Sequence, residues 1–305
     1  MSSPKFQHGG ARAALFFLWL LHWLPLPLLA LTGRALGAFL YRVAGSRRKV
    51  ALRNLELCFP EKSQAEREAI AKEHFGWLAR SLLERGVLSY SSESRLRRLT
   101  RFKGNVRLAE QGKQDGKPVM WLTPHFVGLE WVGPLLMTEQ SCPGISIYQR
   151  QSNPVFDAAL RRMRQRFGTT ELISRHDGVR QVVRRVRQGW LFMNLPDMDF
   201  GRKDSEFIPF FGVPACTLLA PSRMAASLKM QVQPIIVTML PGGQGYEIEA
   251  CEPLPDYPSE DAVADATRFH AWLEDRIRAN PAQYLWVHKR FKTRPEGEPA
   301  LYGRR

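Results

Sequence analysis

The chain has 305 residues, 44% hydrophobic and 24% charged, and that apolar mass excludes a disordered polypeptide. Four scattered cysteines, Cys58, Cys142, Cys216 and Cys251, with no CxxC and no close Cys/His pair, argue against a disulfide scaffold or a structural zinc site. Buried thiols in a reducing compartment are expected instead. A net charge of +15 suits nucleic acid, anionic lipid or an acidic protein as partner.

The charge is uneven. Residues 1–60 carry eight basic residues and one acid, Glu56. That basic end also holds the longest uncharged run, Ala13 to Gly33 (AALFFLWLLHWLPLPLLALTG). About 20 apolar residues span a bilayer as a helix. Pro25 and Pro27 bend such a helix, His22 is a polar intrusion, and Trp19 and Trp23 suit a membrane interface. The run exceeds the ~7–15-residue core of a cleaved signal peptide, and it lacks a good small-residue cleavage pattern. The expectation is a spanning or deeply embedded anchor at 1–33 and a body at 34–305. Arg34, Arg42, Arg47, Arg48, Lys49 and Arg53 then place the body on the cytoplasmic side, against anionic headgroups.

In the body, apolar residues at Ile70, Phe75, Leu78 and Leu82 predict a helix over 64–86, with Ser63 as cap and Gly86 as stop. A buried strand follows at 117–125, then a proline-interrupted helix at 128–137 and a strand at 144–148. Asn153 with Pro154 starts a helix over 153–168. Another helix covers 177–189 and ends at Gly189. A strand at 190–196, a helix at 220–229, strands at 232–240 and 246–252, and a helix from Asp261 to Ala279 complete the series. Strand and helix alternate with short connections, the pattern of an α/β sheet with helices on its faces. No internal repeat and no long linker divides 35–305.

Three groups of residues carry candidate chemistry. WLTPHFVGLEW puts His125 just after a strand and Glu130 five positions on, and in open α/β folds ligands gather at strand carboxyl ends. Histidine is the usual general base near neutral pH, and a carboxylate fixes its tautomer. The spacing alone is weak, since His270 and Asp275 repeat it inside a regular helix, where five residues turn the pair about 140° apart. A structural histidine is the plain alternative for His125. The second group is LPDMDFGRKDSEFIPFFGVPA (195–215). Asp197 and Asp199 without a third ligand, next to Arg202 and Lys203, make a poor metal site. The segment reads either as a polar turn or as a loop holding an anionic headgroup through Arg202 and backbone donors. Its PFFGVPA end lines an apolar channel or joins the core. Third, Arg161, Arg162, Arg164 and Arg166, then Arg180, Arg184, Arg185 and Arg187, form two basic helical stretches. They are solvated faces, or a docking surface for an acidic carrier protein or phosphorylated lipid. Nucleic acid is disfavoured by the apolar anchor and the lack of a recognition motif.

RRKVALRNLELCFPE (47–61), WLTPHFVGLEW (121–131), Asn153–Pro154, NLPDMDFGRKDSEFIPFFGVPA (194–215) and YLWVHKRFKTRPEG (284–297) together resemble the late acyltransferases of lipid A biosynthesis. This is the lauroyl/myristoyl transferase family of Gram-negative inner membranes, and the resemblance runs in order from about residue 10 to 302. It implies a fold similar to glycerophosphate and lysophospholipid acyltransferases: α/β, a mixed central sheet wrapped by helices, with an N-terminal anchor helix. It implies an acyl donor on acyl carrier protein and, as acceptor, a hydroxyl of a hydroxyacyl chain on a Kdo-bearing lipid A precursor. No cofactor or metal is implied. The catalytic domain would sit on the cytoplasmic side of the inner membrane, in contact with its lipids. The family's HX4(D/E) signature maps onto His125 as base and Glu130 as its orienting carboxylate. Arg164 maps onto an arginine after the NP pair, and Asp197, Asp199 and Gly201 onto a PDxD-x-G turn. Together with Arg202 these are the expected substrate-binding residues. The chain has Tyr148-Gln149-Arg150 where YRP is common, and Met198 where glutamine is common. Two rival classes remain open: an acyltransferase on another lysolipid, such as an ornithine or glycerophospholipid acceptor, and a non-enzymatic lipid-binding membrane protein.

Overall fold

The computed structural model describes residues 8–303. In chain order the helices and strands are α1 (Gly9–Leu21), α2 (Leu26–Val43), α3 (Gly45–Cys58), α4 (Gln64–Tyr90), α5 (Glu93–Arg98), β1 (Thr100–Gly104), α6 (Leu108–Gln114), β2 (Val119–Leu122), α7 (Val132–Met137), β3 (Gly144–Tyr148), α8 (Pro154–Arg164), β4 (Thr170–Ser174), α9 (Arg180–Arg187), β5 (Leu191–Asn194), β6 (Ser205–Phe210), β7 (Val213–Leu218), α10 (Ala220–Ser227), β8 (Gln231–Met239), β9 (Tyr246–Ala250) and α11 (Ala262–Ala279).

Seven strands form one sheet in the order β1-β9-β8-β2-β5-β3-β4, and β6 with β7 forms a separate hairpin. Only the β8–β9 pairing in the seven-stranded sheet is antiparallel. The expected mixed sheet flanked by helices is therefore present. All four residues of β2 are buried, as a strand covered on both faces requires. Because β2, β5, β3 and β4 run parallel, the loops that follow them open along one edge.

Several local expectations hold for their stated reasons. Ser63 caps α4: its hydroxyl accepts the Glu66 N–H at 3.3 Å, and the Glu66 carboxylate accepts the Ser63 N–H at 2.8 Å. The Asn153 side chain accepts the Val155 N–H at 2.9 Å, with Pro154 at the first helical position. Gly189, at φ +80°, follows the end of α9. All four cysteines are buried free thiols.

Other expectations are corrected. The uncharged run is two helices, not one. Pro25 caps α2 and Pro27 sits in its first turn, positions where a proline's missing N–H costs nothing, so the break falls at Trp23–Pro25. Gly86 does not end α4. It lies inside the helix against α1, where a Cβ would come within 2.1 Å of the Leu18 carbonyl oxygen. Residues 205–218 are a hairpin rather than a loop. Phe211 and Gly212 make its turn at φ +50° and +73°, so the usual Asn-Gly turn signal is absent. Strand β4 lies in the stretch between two expected helices, and β1 is an edge strand with Arg101 and Lys103, which blurs any apolar alternation.

Candidate active site

β2 and β5 are parallel neighbours, and Leu122 pairs with Asn194 in their register. Three residues beyond each partner stand His125 and Asp197, so two loops leaving adjacent strands bring these side chains together. The His125 backbone N–H donates to Asp197 Oδ2 at 2.8 Å, and its Nδ1 lies 2.7 Å from Asp197 Oδ1. Tyr284 Oη donates to the same Oδ2 at 3.1 Å. Asp197 is fully buried. Burial opposes its ionisation, but the charge and hydrogen bonds of His125 outweigh that and lower its pKa to about 2. An ionised Asp197 only accepts, so Nδ1 carries the proton and donates. Nε2, which carries the lone pair when the ring is neutral, has no hydrogen-bond partner among the described residues, and the side chain is 21% exposed.

The backbone around His125 is tied to the C-terminal segment. The Leu285 N–H donates to the His125 carbonyl at 3.0 Å, and the Val127 N–H to the Gln283 carbonyl at 2.8 Å. Phe126 and Tyr284 form an isolated antiparallel bridge. Gly128 adopts an ordinary φ of −81°. Its lack of a side chain serves packing, since a Cβ would come 3.1 Å from Val237.

Glu130 was expected to orient His125, and no hydrogen bond joins them among the described residues. Glu130 instead takes a two-pronged hydrogen bond from Arg164, Nε to Oε2 at 2.8 Å and Nη2 to Oε1 at 2.9 Å. Arg85 Nη2 lies 3.5 Å from Oε1. Partial burial works against the Glu130 charge, but Arg164 first, then Arg85 and His125, hold its carboxyl at about 2. The imidazole therefore bonds to the loop of the neighbouring strand rather than to the acid five positions along its own chain. The result is two adjoining charge systems, His125–Asp197–Tyr284 and Glu130–Arg164–Arg85.

The remaining expected residues fall as follows. Asp199 is buried and accepts the Gly201 N–H at 3.0 Å, the Thr293 N–H at 2.6 Å and the Thr293 hydroxyl at 2.9 Å. Asp197 and Asp199, expected to touch substrate, thus spend their oxygens inside the fold. Gly201 takes φ +91° to turn the chain outward, and Arg202 is exposed, its guanidinium 5.2 Å from the Phe207 ring centre. His270, which with Asp275 repeats the spacing, is buried: Arg290, which can only donate, faces its Nε2 at 3.1 Å, so Nδ1 carries the proton and donates to the Ala266 carbonyl at 2.8 Å. Asp275 is 80% exposed beside Arg278. Arg166 is spent on the carbonyls of Leu88 and Ser91. Arg185 pairs with Glu171 at 2.7 Å and lies over Trp190. Arg161, Arg162, Arg180, Arg184 and Arg187 are exposed.

No sequence pattern assigns a role to Tyr284, Arg85, Thr293 or His288. His288 is close enough to His125 for that charge to count, and burial foremost lowers its own pKa to about 4. The sequence signal for Tyr284, His288 and Thr293 is their place in the distinctive stretch 284–297. Nothing marked Arg85 within its long helix.

The family model described as bacterial lipid A biosynthesis acyltransferase matches residues 2–293. The chain is 32% identical over 279 residues to the lipid A biosynthesis myristoyltransferase of Escherichia coli K12, covering 92% of this chain and 84% of that protein. It is 31% identical over 286 residues to the lipid A biosynthesis lauroyltransferase of the same organism, covering 93% and 92%. A lipid A biosynthesis acyltransferase of Haemophilus influenzae is 31% identical over 311 residues, with 98% of each covered. With a family model spanning nearly the whole chain and relatives matched along most of their length, this protein belongs to the bacterial lipid A biosynthesis acyltransferase family and is an acyltransferase.

Proposed function

We propose that the protein transfers a fatty acyl chain from the thioester of an acyl carrier protein to a hydroxyl on a hydroxyacyl chain of a Kdo-bearing lipid A precursor, at the cytoplasmic face of the inner membrane. The observation that carries the catalytic part is the His125–Asp197 hydrogen bond, which assigns the proton to Nδ1 and leaves Nε2 as the basic atom. Nε2 takes the proton of the acceptor hydroxyl as its oxygen attacks the thioester carbonyl carbon. The tetrahedral intermediate collapses, the carbon–sulfur bond breaks, and the imidazolium returns its proton to the departing thiolate. Asp197 orients the ring and stabilises its cation. No covalent acyl-enzyme is required, and the four cysteines are all buried.

Glu130 then acts on Arg164 rather than on the imidazole. It holds the guanidinium beside the reacting groups, where a fixed cation favours the developing oxyanion or an anionic group of the acceptor. Asp199 positions the segment at Thr293. Arg180, Arg184 and Arg187 on the outer face of α9 suit an acidic carrier. Helix α9 follows β4 and packs on β3 and β5, and β5 is the strand beside β2 whose loop carries Asp197. The thioester-bearing arm of the carrier would reach from that face to the His125 loop.

Purified protein given a panel of acyl carrier thioesters and the Kdo-lipid A precursor should yield a product heavier by one acyl group, read by mass spectrometry. Transfer to a lysophospholipid or ornithine lipid, with none to the lipid A precursor, would replace this acceptor.

A further inference from the structure

Lys5 and Arg12 precede the uncharged run, and Arg34 to Arg53 follow it, so both of its ends carry the charge that favours the cytoplasm. A single span cannot satisfy both ends, and the structure shows why it need not. Helix α1 has 13 residues, about 20 Å of helix against about 30 Å of hydrocarbon. Helix α2 has 18 residues, but Arg34 lies exposed at its middle, the depth at which a charge in a spanning helix is most costly.

Neither helix stands apart from the body. Leu18 of α1 presses its carbonyl onto Gly86 of α4, and Gly33 and Gly37 of α2 lie against Arg80 and Gly76 of the same helix. Helix α4 also carries the exposed Lys72 and Glu73 about one turn beyond Gly76, so a span by α2 would draw these toward the hydrocarbon. The turn between α1 and α2 is held by Arg95, whose guanidinium donates to the carbonyls of His22 and Leu24. The free faces are strongly apolar. Phe16, Phe17, Leu20, Trp23, Leu28 and Leu31 are all exposed, Trp23 by 68% and Leu31 by 64%. A soluble monomer rarely leaves such a patch to water.

We infer that α1 and α2 form a helical hairpin laid sideways into the cytoplasmic leaflet, so that the start of α1 and the body lie on the same side of the membrane. Trp23 and Leu31 enter the acyl layer, while Arg12, Arg34 and Arg42 reach the anionic headgroups at its border. The enzyme is then monotopic, and a lipid acceptor reaches it by lateral movement within one leaflet. This placement does not rest on the chemistry at His125, so its failure leaves the acyl-transfer reading standing.

The test uses the full chain in spheroplasts, with Ser3→Cys at the N-terminus and Glu260→Cys on the exposed body as reference. The native cysteines are buried, which keeps background labelling low. A membrane-impermeant maleimide should label both positions only after the inner membrane is opened. Label at position 3 in intact spheroplasts, with position 260 protected, overturns the hairpin in favour of a span. Label at both in intact spheroplasts overturns the cytoplasmic placement. A second measurement addresses the lipid face: Phe17→Asp with Trp23→Asp, both exposed, should lower flotation with phosphatidylglycerol-containing vesicles by roughly tenfold or more while near-ultraviolet dichroism is unchanged. Undiminished flotation of that variant overturns the assignment of this face to lipid.

Discussion

Asp197 accepts two hydrogen bonds from His125, one from its backbone N–H and one from Nδ1, so one buried carboxylate fixes both the place and the tautomer of the imidazole. The pair is a product of sheet register, because parallel neighbours with aligned ends present their following loops side by side. Asp197→Asn keeps the shape but removes the charge that supports the imidazolium. Turnover should fall on the order of 10²–10⁴-fold, close to the loss in His125→Ala. The double variant should be little worse than His125→Ala alone, because the two residues act as a unit. Losses that multiply in full would show that Asp197 acts elsewhere.

Glu130 and Arg164 form the neighbouring system, and each is the principal partner of the other. Glu130→Gln leaves Arg164 and Arg85 facing each other without their shared carboxylate. Stability should drop by about 1–3 kcal/mol, and activity should drop with it. Arg164→Lys keeps the charge but loses the two-pronged geometry, so it should recover less activity than stability. Thermal melts beside steady-state rates in the same detergent check this, and full activity in Arg164→Lys would contradict it.

The buried histidines make stability depend on pH. Burial first, and then the Arg290 charge, push the His270 pKa from 6.5 down to about 3, and burial lowers that of His74 to about 4. Below about pH 6.5 the unfolded chain takes up these protons and the folded protein does not, so stability is lost as pH falls from 6.5 toward 4 and 3. His270→Gln, which offers a donor and an acceptor but does not titrate, should remove that residue's share of the decline in melts between pH 7.5 and 4.5, leaving the shares of His74 and His288. Asp275→Ala should leave both stability and turnover near wild type, since its carboxylate is 80% exposed.

Carrier docking makes a kinetic prediction. Arg184→Glu with Arg187→Glu should raise KM for the acyl carrier substrate and weaken its salt dependence, with kcat little changed. Arg185→Glu should behave differently, lowering stability through the lost Glu171 pair and Trp190 contact. A wild-type KM insensitive to ionic strength would remove the electrostatic argument.

Much of the sheet was legible because its strands are short apolar runs bounded by turn residues, as at 144–148, and because helix starts such as Ser63 and Asn153–Pro154 are local signals. His125 was legible for the same reason, as a polar residue after a buried strand. Its partner was not. Sequence spacing favoured Glu130, five positions away, whereas the bonded carboxylate is 72 positions away and adjacent only through strand register. The hairpin at 205–218 is not legible in the sequence because Phe211 occupies a turn position with positive φ that short polar residues usually take. The split of the N-terminal run was only half legible: its prolines announced a bend, but the close approach of Leu18 to Gly86 depends on a fold that no local pattern displays.

The most direct test of the account is a single-turnover reaction with excess enzyme, acyl carrier thioester and Kdo-lipid A precursor, followed by mass spectrometry, comparing wild type with folded His125→Ala and Asp197→Asn. The account predicts one acyl addition by wild type and a rate lower by on the order of 10²–10⁴-fold in both variants. Transfer at the wild-type rate by His125→Ala, with its fold intact, would contradict it.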